Sequence, residues 1–231
     1  MKIIKNEKLI QRNGKIGQGI SLAALIVLGI GMYISFSKPE LITYSVVCLI
    51  LGFIMSQVGM YMGGRWGRSP RPDEKLDAGL KGLPGEFNIY HYSSPVSHLL
   101  VGPSGVWVLI PYHQRGKISF EKNRWKMKGG GFLQGYMRIF GQEGLGRPDL
   151  DAENEVQILK KYLAKKMDEA DIPEIKPILI FTTDDVELDT GESPIAAVKL
   201  KQLKEFMRQG GKNRVLSPQQ ITELTNLFST E

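Results

Sequence analysis

The chain has 231 residues, 42% of them hydrophobic, and a formal charge of +6, which leaves room for one ordinary domain with additions. Its one cysteine, Cys48, excludes an internal disulfide, and the three scattered histidines offer no Cys/His spacing for a structural zinc site. The positive charge suggests nucleic acid only until it is located. Residues 1–18 set Lys2, Lys5, Lys8, Arg12 and Lys15 against Glu7, residues 64–72 add Arg65, Arg68 and Arg71, and residues 73–231 are left at −1. A domain with that balance is a poor broad binder of phosphate backbones.

Residues 1–18 read as a basic cytoplasmic N-terminus. Residues 19–36 and 41–62 contain no charged residue, and each approaches the ~20 residues a spanning helix needs. Only Ser37, Lys38, Pro39 and Glu40 separate them, which predicts a two-helix transmembrane hairpin over residues 19–63. A signal peptide has a shorter apolar region, and a soluble hairpin keeps polar residues at helical spacing. The basic flanks outweigh Lys38 in the loop. The expected arrangement is therefore two-pass in the inner or plasma membrane, with both termini cytoplasmic. The lipid bilayer is the first implied partner, through anionic headgroups at those flanks. Tyr33, Tyr61 and Trp66 fall near the interfaces, and Gly29, Gly31, Gly52 and Gly59 suit close helix approach. Cys48 reads as a small packing residue.

Residues 64–72 are a linker, and residues 73–231 alternate strands and helices, the mark of the α/β class. A helix over residues 73–83 places Leu76, Leu80 and Leu83 on one side, with Asp73 and Glu74 in the first turn where the helix dipole favours acids. A strand over 86–92 leads into residues 96–116. There, apolar runs at 98–101 and 106–110 are joined by Gly102, Pro103, Ser104 and Gly105, which predicts two adjacent strands near the centre of a covered sheet. His91, His98 and His113 are scattered over strand and loop positions and are assigned no chemistry.

A hairpin follows, with strands at 117–121 and 124–128 turning at Lys122 and Asn123. Arg115, Lys117, Lys122, Arg124, Lys126 and Lys128 surround Glu121 there and are candidate contacts for nucleic acid or lipid. A solvated edge, charged against sheet-to-sheet aggregation, is the plainer reading. The triple glycine at 129–131 lacks the ending of a P-loop and reads as a connector. It leads to a mildly apolar stretch at 132–140 and a loop at 141–148.

Residues 149–170 carry the strongest helix signal, with Val156, Leu159, Tyr162, Leu163 and Met167 forming a stripe. A buried strand is expected at 176–182. Asp184, Asp185, Glu187 and Asp189 follow it, a set that could hold Mg²⁺ at a strand's end but reads as a solvated loop. A strand at 195–198, a helix at 201–208 and a last helix at 217–228 complete the chain. Ser217 and Gln220 form a capping box for that last helix.

The frame at 96–116 resembles the nuclease-related domain (NERD), a branch of the restriction-endonuclease-like PD-(D/E)xK superfamily. That family places an Asp before the first strand, a Gly-Pro-x-Gly turn, a second strand ending in Glu-x-Lys, and a Gly four residues past the Lys. Gly102, Pro103, Gly105 and Gly116 stand in register, while the three chemical positions hold Ser97, Ile110 and Tyr112. The resemblance covers roughly residues 73–185 and implies a restriction-endonuclease-like mixed-sheet domain. It also implies an acid on the first helix, where Asp73 or Glu74 falls, and a Gln on a later helix, where Gln157 falls.

Ser97 is a poor metal ligand, Ile110 is none, and Tyr112 lacks the charge of Lys. The expected function is thus a membrane-anchored, catalytically inactive nuclease-related domain that binds or scaffolds, with no cofactor and with nucleic acid or a protein as second partner. One alternative is an active, Mg²⁺-dependent nuclease of DNA or RNA whose acids have moved to Glu86, Asp184 or Asp185, which must then converge near Ser97 and Ile110. Another is a structural membrane protein that oligomerises through its hairpin.

Overall fold

In a computed structural model, residues 1–128, 144–212 and 214–229 are described. The expected connector at 129–131, the stretch at 132–140 and the first part of the following loop lie outside them. The backbone forms two units: Glu7–Arg71, and Met1–Asn6 together with Pro72–Glu231.

The first unit is an antiparallel pair of helices, α1 (Glu7–Ser37) and α2 (Ile42–Met62), joined by a single 3-10 turn at Pro39–Leu41. Both are long and apolar enough to cross a membrane. Apart from Gly14, their buried residues recur every seven positions: Ile10, Gly17, Ala24 and Gly31 on α1, then Ser45, Gly52 and Gly59 on α2. That period gives a continuous seam between gently supercoiled helices. A Cβ on Gly59 would sit 2.4 Å from the Ser21 hydroxyl, and one on Gly52 2.6 Å from Leu28. The Ser45 hydroxyl donates to the Gly31 carbonyl at 2.6 Å. Gly29, expected at this seam, faces open space instead. Leu22, Leu25, Phe36, Val47 and Ile50 are exposed on the outer surface.

The second unit is mixed α/β. Its main sheet has six strands in the order β1-β2-β3-β4-β7-β9: β1 (Lys2–Lys5), β2 (Asn88–His91), β3 (His98–Gly102), β4 (Gly105–Tyr112), β7 (Ile175–Phe181) and β9 (Ala196–Lys199). β3 runs antiparallel to both of its neighbours, β2 and β4, whereas β7 runs parallel to β4 and β9 parallel to β7. Helices α3 (Pro72–Leu80) and α5 (Leu200–Lys212) cover one face through Leu76, Leu80, Leu203 and Met207. Helices α4 (Pro148–Leu163) and α6 (Pro218–Ser229) cover the other through Leu159, Leu163, Leu224 and Phe228. With both faces covered, β3 and β4 are apolar throughout, and alternate residues feed opposite cores.

The turn between β3 and β4 needs its glycines for two reasons. A Cβ on Gly102 would lie 2.3 Å from the Phe87 ring, and Gly105 has φ +114°, a region that side chains avoid. The hairpin β5 (Gly116–Glu121)–β6 (Arg124–Lys128) turns at Lys122 and Asn123 as expected, with φ of 51° and 57°. It belongs to a second sheet ordered β6-β5-β8, in which β8 is Val186–Asp189. The capping box of α6 forms, with Ser217 and Gln220 each accepting the other's backbone N–H.

Three expectations need correction. The basic N-terminus is not one segment: Lys2–Lys5 form β1, paired in parallel with β2, and α1 begins at Glu7. The acidic segment after β7 is not all loop, because Val186–Asp189 form β8, parallel to β5, with Val186 buried. Helix α4 ends at Leu163 rather than continuing to residue 170, and a separate 3-10 turn spans Glu169–Asp171.

Candidate functional site

The positions named by the motif meet at one end of the main sheet. Leu99 pairs with Val108, and counting on along both strands places Ser97 opposite Ile110. Side chains alternate along a strand, so Ser97, Ile110 and Tyr112 share the face of Leu99 and Val108, which α4 covers. The Tyr112 ring is 8% exposed and stacks on Phe181 with centroids 5.6 Å apart, and its hydroxyl donates to Asp151 of α4 at 2.7 Å. Burial pushes the Tyr112 phenol far above its ordinary range, and the Asp151 acceptor adds to this. It is therefore a fixed neutral donor. Ile110 packs with the same apolar clusters.

The acids that could replace lost ligands do not gather here. Glu86 lies beyond the far end of β2, near the residues that pair with Val101, and binds Arg214 at 3.0 Å. Asp184 is exposed and binds Lys201 at 2.9 Å. Asp185 is exposed, and its backbone carbonyl accepts from the Gly116 amide. Gln157 is exposed on α4. Among the described residues, no three His, Cys, Asp or Glu are grouped to hold a metal ion.

The basic hairpin is partly neutralised by its own sheet. Register puts Lys117 beside Glu187 and Ser119 beside Asp189. Lys117 binds both acids, at 3.2 and 3.3 Å, and Lys126 binds Glu121 at 2.8 Å. The opposite face of this sheet, with Ile118 and Val186, is apolar and buried. Thus Lys117 of the basic hairpin and Glu187 and Asp189 of the acidic segment oppose each other on one mixed-charge surface. Such a surface suits solvent and resists edge pairing.

The charged groups that are buried lie on the other face of the main sheet. Lys5 at the end of β1 binds Asp73 at 3.1 Å and Asp77 at 2.5 Å, both on α3. Asp77 also meets Nε2 of His91 on β2 at 3.0 Å, and Nδ1 of His91 lies 2.8 Å from Nδ1 of His98 on β3. Asp73 and His91 are fully buried and His98 is 2% exposed. The Tyr92 ring packs edge-on against His98, 4.8 Å away.

Burial works against the Lys5 ammonium, but hydrogen bonds and charge from Asp77 and Asp73 hold it above its ordinary value. Burial likewise works against the Asp77 carboxylate, but His91 and Lys5 hold it below the usual range. Because Asp77 accepts, His91 Nε2 carries a proton, and a single proton then occupies the Nδ1–Nδ1 contact.

In the sequence Asp73 reads as a first-turn acid, and the histidines carry no assigned chemistry. The signal that joins His91 to His98 is pairing: two strands separated by a short turn, with both histidines on one face. Lys5 carried no local signal, since its partner strand lies more than eighty residues away. Comparison with protein-family models, curated proteins and solved structures finds no match.

Proposed function

We propose that this chain is a two-pass membrane protein whose termini face the cytoplasm and whose second unit is a catalytically inactive, nuclease-related domain acting as a binding or scaffold module. The observation that carries this reading is Tyr112. Where the resemblance expects the Lys that assists metal-bound hydrolysis, a buried phenol is hydrogen-bonded to Asp151 and stacked on Phe181. Ile110, at the Glu position, is packed in apolar surroundings. The restriction-endonuclease-like fold is supported by the order of elements: a helix, three antiparallel strands with the Gly102–Gly105 turn between the last two, then a helix and a parallel strand. Fold by itself confers no activity.

Two-pass insertion is supported by chain connectivity. The hairpin leaves β1 and returns to α3, and both belong to one unit, so its two ends lie on the same side of any membrane it crosses. The hairpin unit holds seven basic groups against Glu7 and Glu40, a net of +5 that favours the cytoplasmic leaflet. Oligomerisation through the hairpin gains little support, since Gly31, Gly52 and Gly59 are used between α1 and α2.

The test is cleavage and binding of labelled DNA and RNA by the full chain in lipid nanodiscs, with Mg²⁺ or Mn²⁺ and at two salt concentrations. The expected result is no cleavage. Metal-dependent cleavage that disappears in Asp184→Asn or Asp185→Asn would overturn the reading. Salt-sensitive binding without cleavage would identify nucleic acid as the scaffold's partner, and its absence would remove nucleic acid from the reading.

A further inference from the structure

The basic groups of the hairpin unit are not used alike. At the base of α2, Arg65 donates to the Tyr61 hydroxyl at 2.8 Å and lies over the Trp66 ring, 5.3 Å from its centroid. On α1, Lys8, Arg12 and Lys15 are exposed, and none has an ion pair or side-chain hydrogen bond among the described residues. The acid of α1 is Glu7, in its first turn. Its neighbours three and four residues on are Ile10 and Gln11, so helix geometry pairs it with none of the three cations.

Those cations share a face. Lys8, Arg12 and Lys15 repeat, two residues earlier, the spacing of the buried Ile10, Gly14 and Gly17, and two residues turn an α-helix by about 200°. The basic face is therefore opposite the seam with α2. Followed into the apolar span, it passes Gly19 and then Leu22 and Ile26, both exposed. A Cβ on Gly19 would meet nothing within 4 Å. Gly19 thus leaves a notch between the last cation and the first large apolar side chains.

We infer that this face of α1 binds an anionic phospholipid, with Arg12 and Lys15 on its phosphate and Leu22 and Ile26 along an acyl chain. The inference rests on the two-pass reading with cytoplasmic termini, which puts the face in a leaflet that holds anionic lipid. Inorganic phosphate would use only the charged half of the face. A lipid uses both halves.

The depth along α1 fits this occupant. Lys15 lies about 6 Å and Arg12 about 10 Å before Gly19, at the helical rise per residue. The headgroup layer is about 5–8 Å deep on each side of the hydrocarbon. Helical side chains lean toward the N-terminus, here away from the hydrocarbon. The Lys15 ammonium therefore stands at the level of the phosphates, and Arg12 is within a side chain's length of them. A guanidinium can grip a phosphate through two parallel N–H donors, and an ammonium adds a compact charge. Lys8, one turn further out, adds attraction across the aqueous edge.

The experiment is native mass spectrometry of the full chain in detergent micelles, titrated with phosphatidylglycerol or with phosphatidylcholine of the same acyl chains. The wild type should hold phosphatidylglycerol about tenfold more tightly. Lys15→Gln and Arg12→Gln should each lower that preference about fivefold, whereas Arg68→Gln should leave it within about twofold. Arg68 lies at the same end of the hairpin but not on α1, so its variant separates a site from diffuse charge. Equal affinity for the two lipids in the wild type overturns the inference, and so do equal losses in Lys15→Gln and Arg68→Gln. If one α1 variant fails to fold, the other and the wild-type comparison decide. Retention in alkali-washed membranes tests the two-pass reading separately. A chain that washes off fails that reading, and a retained chain without lipid preference fails the inference alone.

Discussion

The two faces at this end of the main sheet make a controlled comparison. On the α4 face, the positions that a nuclease motif would use hold Ser97, Ile110 and Tyr112, which are packed and uncharged. On the α3 face, where the resemblance implies only a first-helix acid, five ionisable side chains form one connected chain from Lys5 to His98, with Asp73, His91 and His98 buried and Lys5 and Asp77 half-buried. A motif frame and a cluster of reactive groups are thus separable properties of the same strands. The frame survives because Gly102 and Gly105 answer to backbone and packing constraints, and those act whether or not the site beside them has chemistry to do.

The sharpest way to break the comparison is on the charged face. Lys5→Met leaves Asp73 buried without its cation, and domain stability should fall by about 3 kcal/mol, read as a lower denaturation midpoint by tryptophan fluorescence. The pH profile follows from signs alone. Asp77 is held low, so its contribution is present above the ordinary carboxylate value of 3.8 and is lost as pH falls below it. Lys5 is held high, so its contribution is present below 10.5 and is lost as pH rises beyond it. In Lys5→Met the alkaline limb should vanish, and an unchanged limb would assign it elsewhere.

Smaller effects test the motif face. Gly102→Ala drives a methyl into Phe87 and should cost about 1–3 kcal/mol, read as a lower denaturation midpoint. Tyr112→Phe removes one hydrogen bond to a carboxylate, a loss of about 1.5 kcal/mol, and nuclease assays should remain at background. If Tyr112→Phe instead alters nucleic-acid binding severalfold, the α4 face is a working site and the contrast collapses. Least of all, Arg115→Ala or Lys122→Ala should change stability by less than about 0.5 kcal/mol and leave binding to DNA and to anionic vesicles within twofold.

What was legible in the sequence was what short-range chemistry determines. The Gly102–Gly105 turn, the reversal at Lys122 and Asn123, the stripe of α4 and the Ser217 cap each depend on neighbours within a few residues. β8 was legible in part, because Val186 and Leu188 alternate with Glu187 and Asp189, but its acids suggested a loop. β1 was not legible. Ile3 and Ile4 between two lysines look like the flank of a membrane span, and only pairing with distant β2 makes them a strand. The charged cluster was hidden for the same reason, since Lys5 reaches Asp73 only once that pairing exists.

An edge strand that precedes the hairpin, while its partner follows it, also orders events in time. Lys2 pairs with Asn88, and at about 5–20 residues per second of synthesis β1 waits roughly 4–17 s before β2 leaves the ribosome. Both helices emerge in that interval. β1 therefore waits while both helices are made, and it can pair only after the hairpin has returned its second end to the unit from which its first departed.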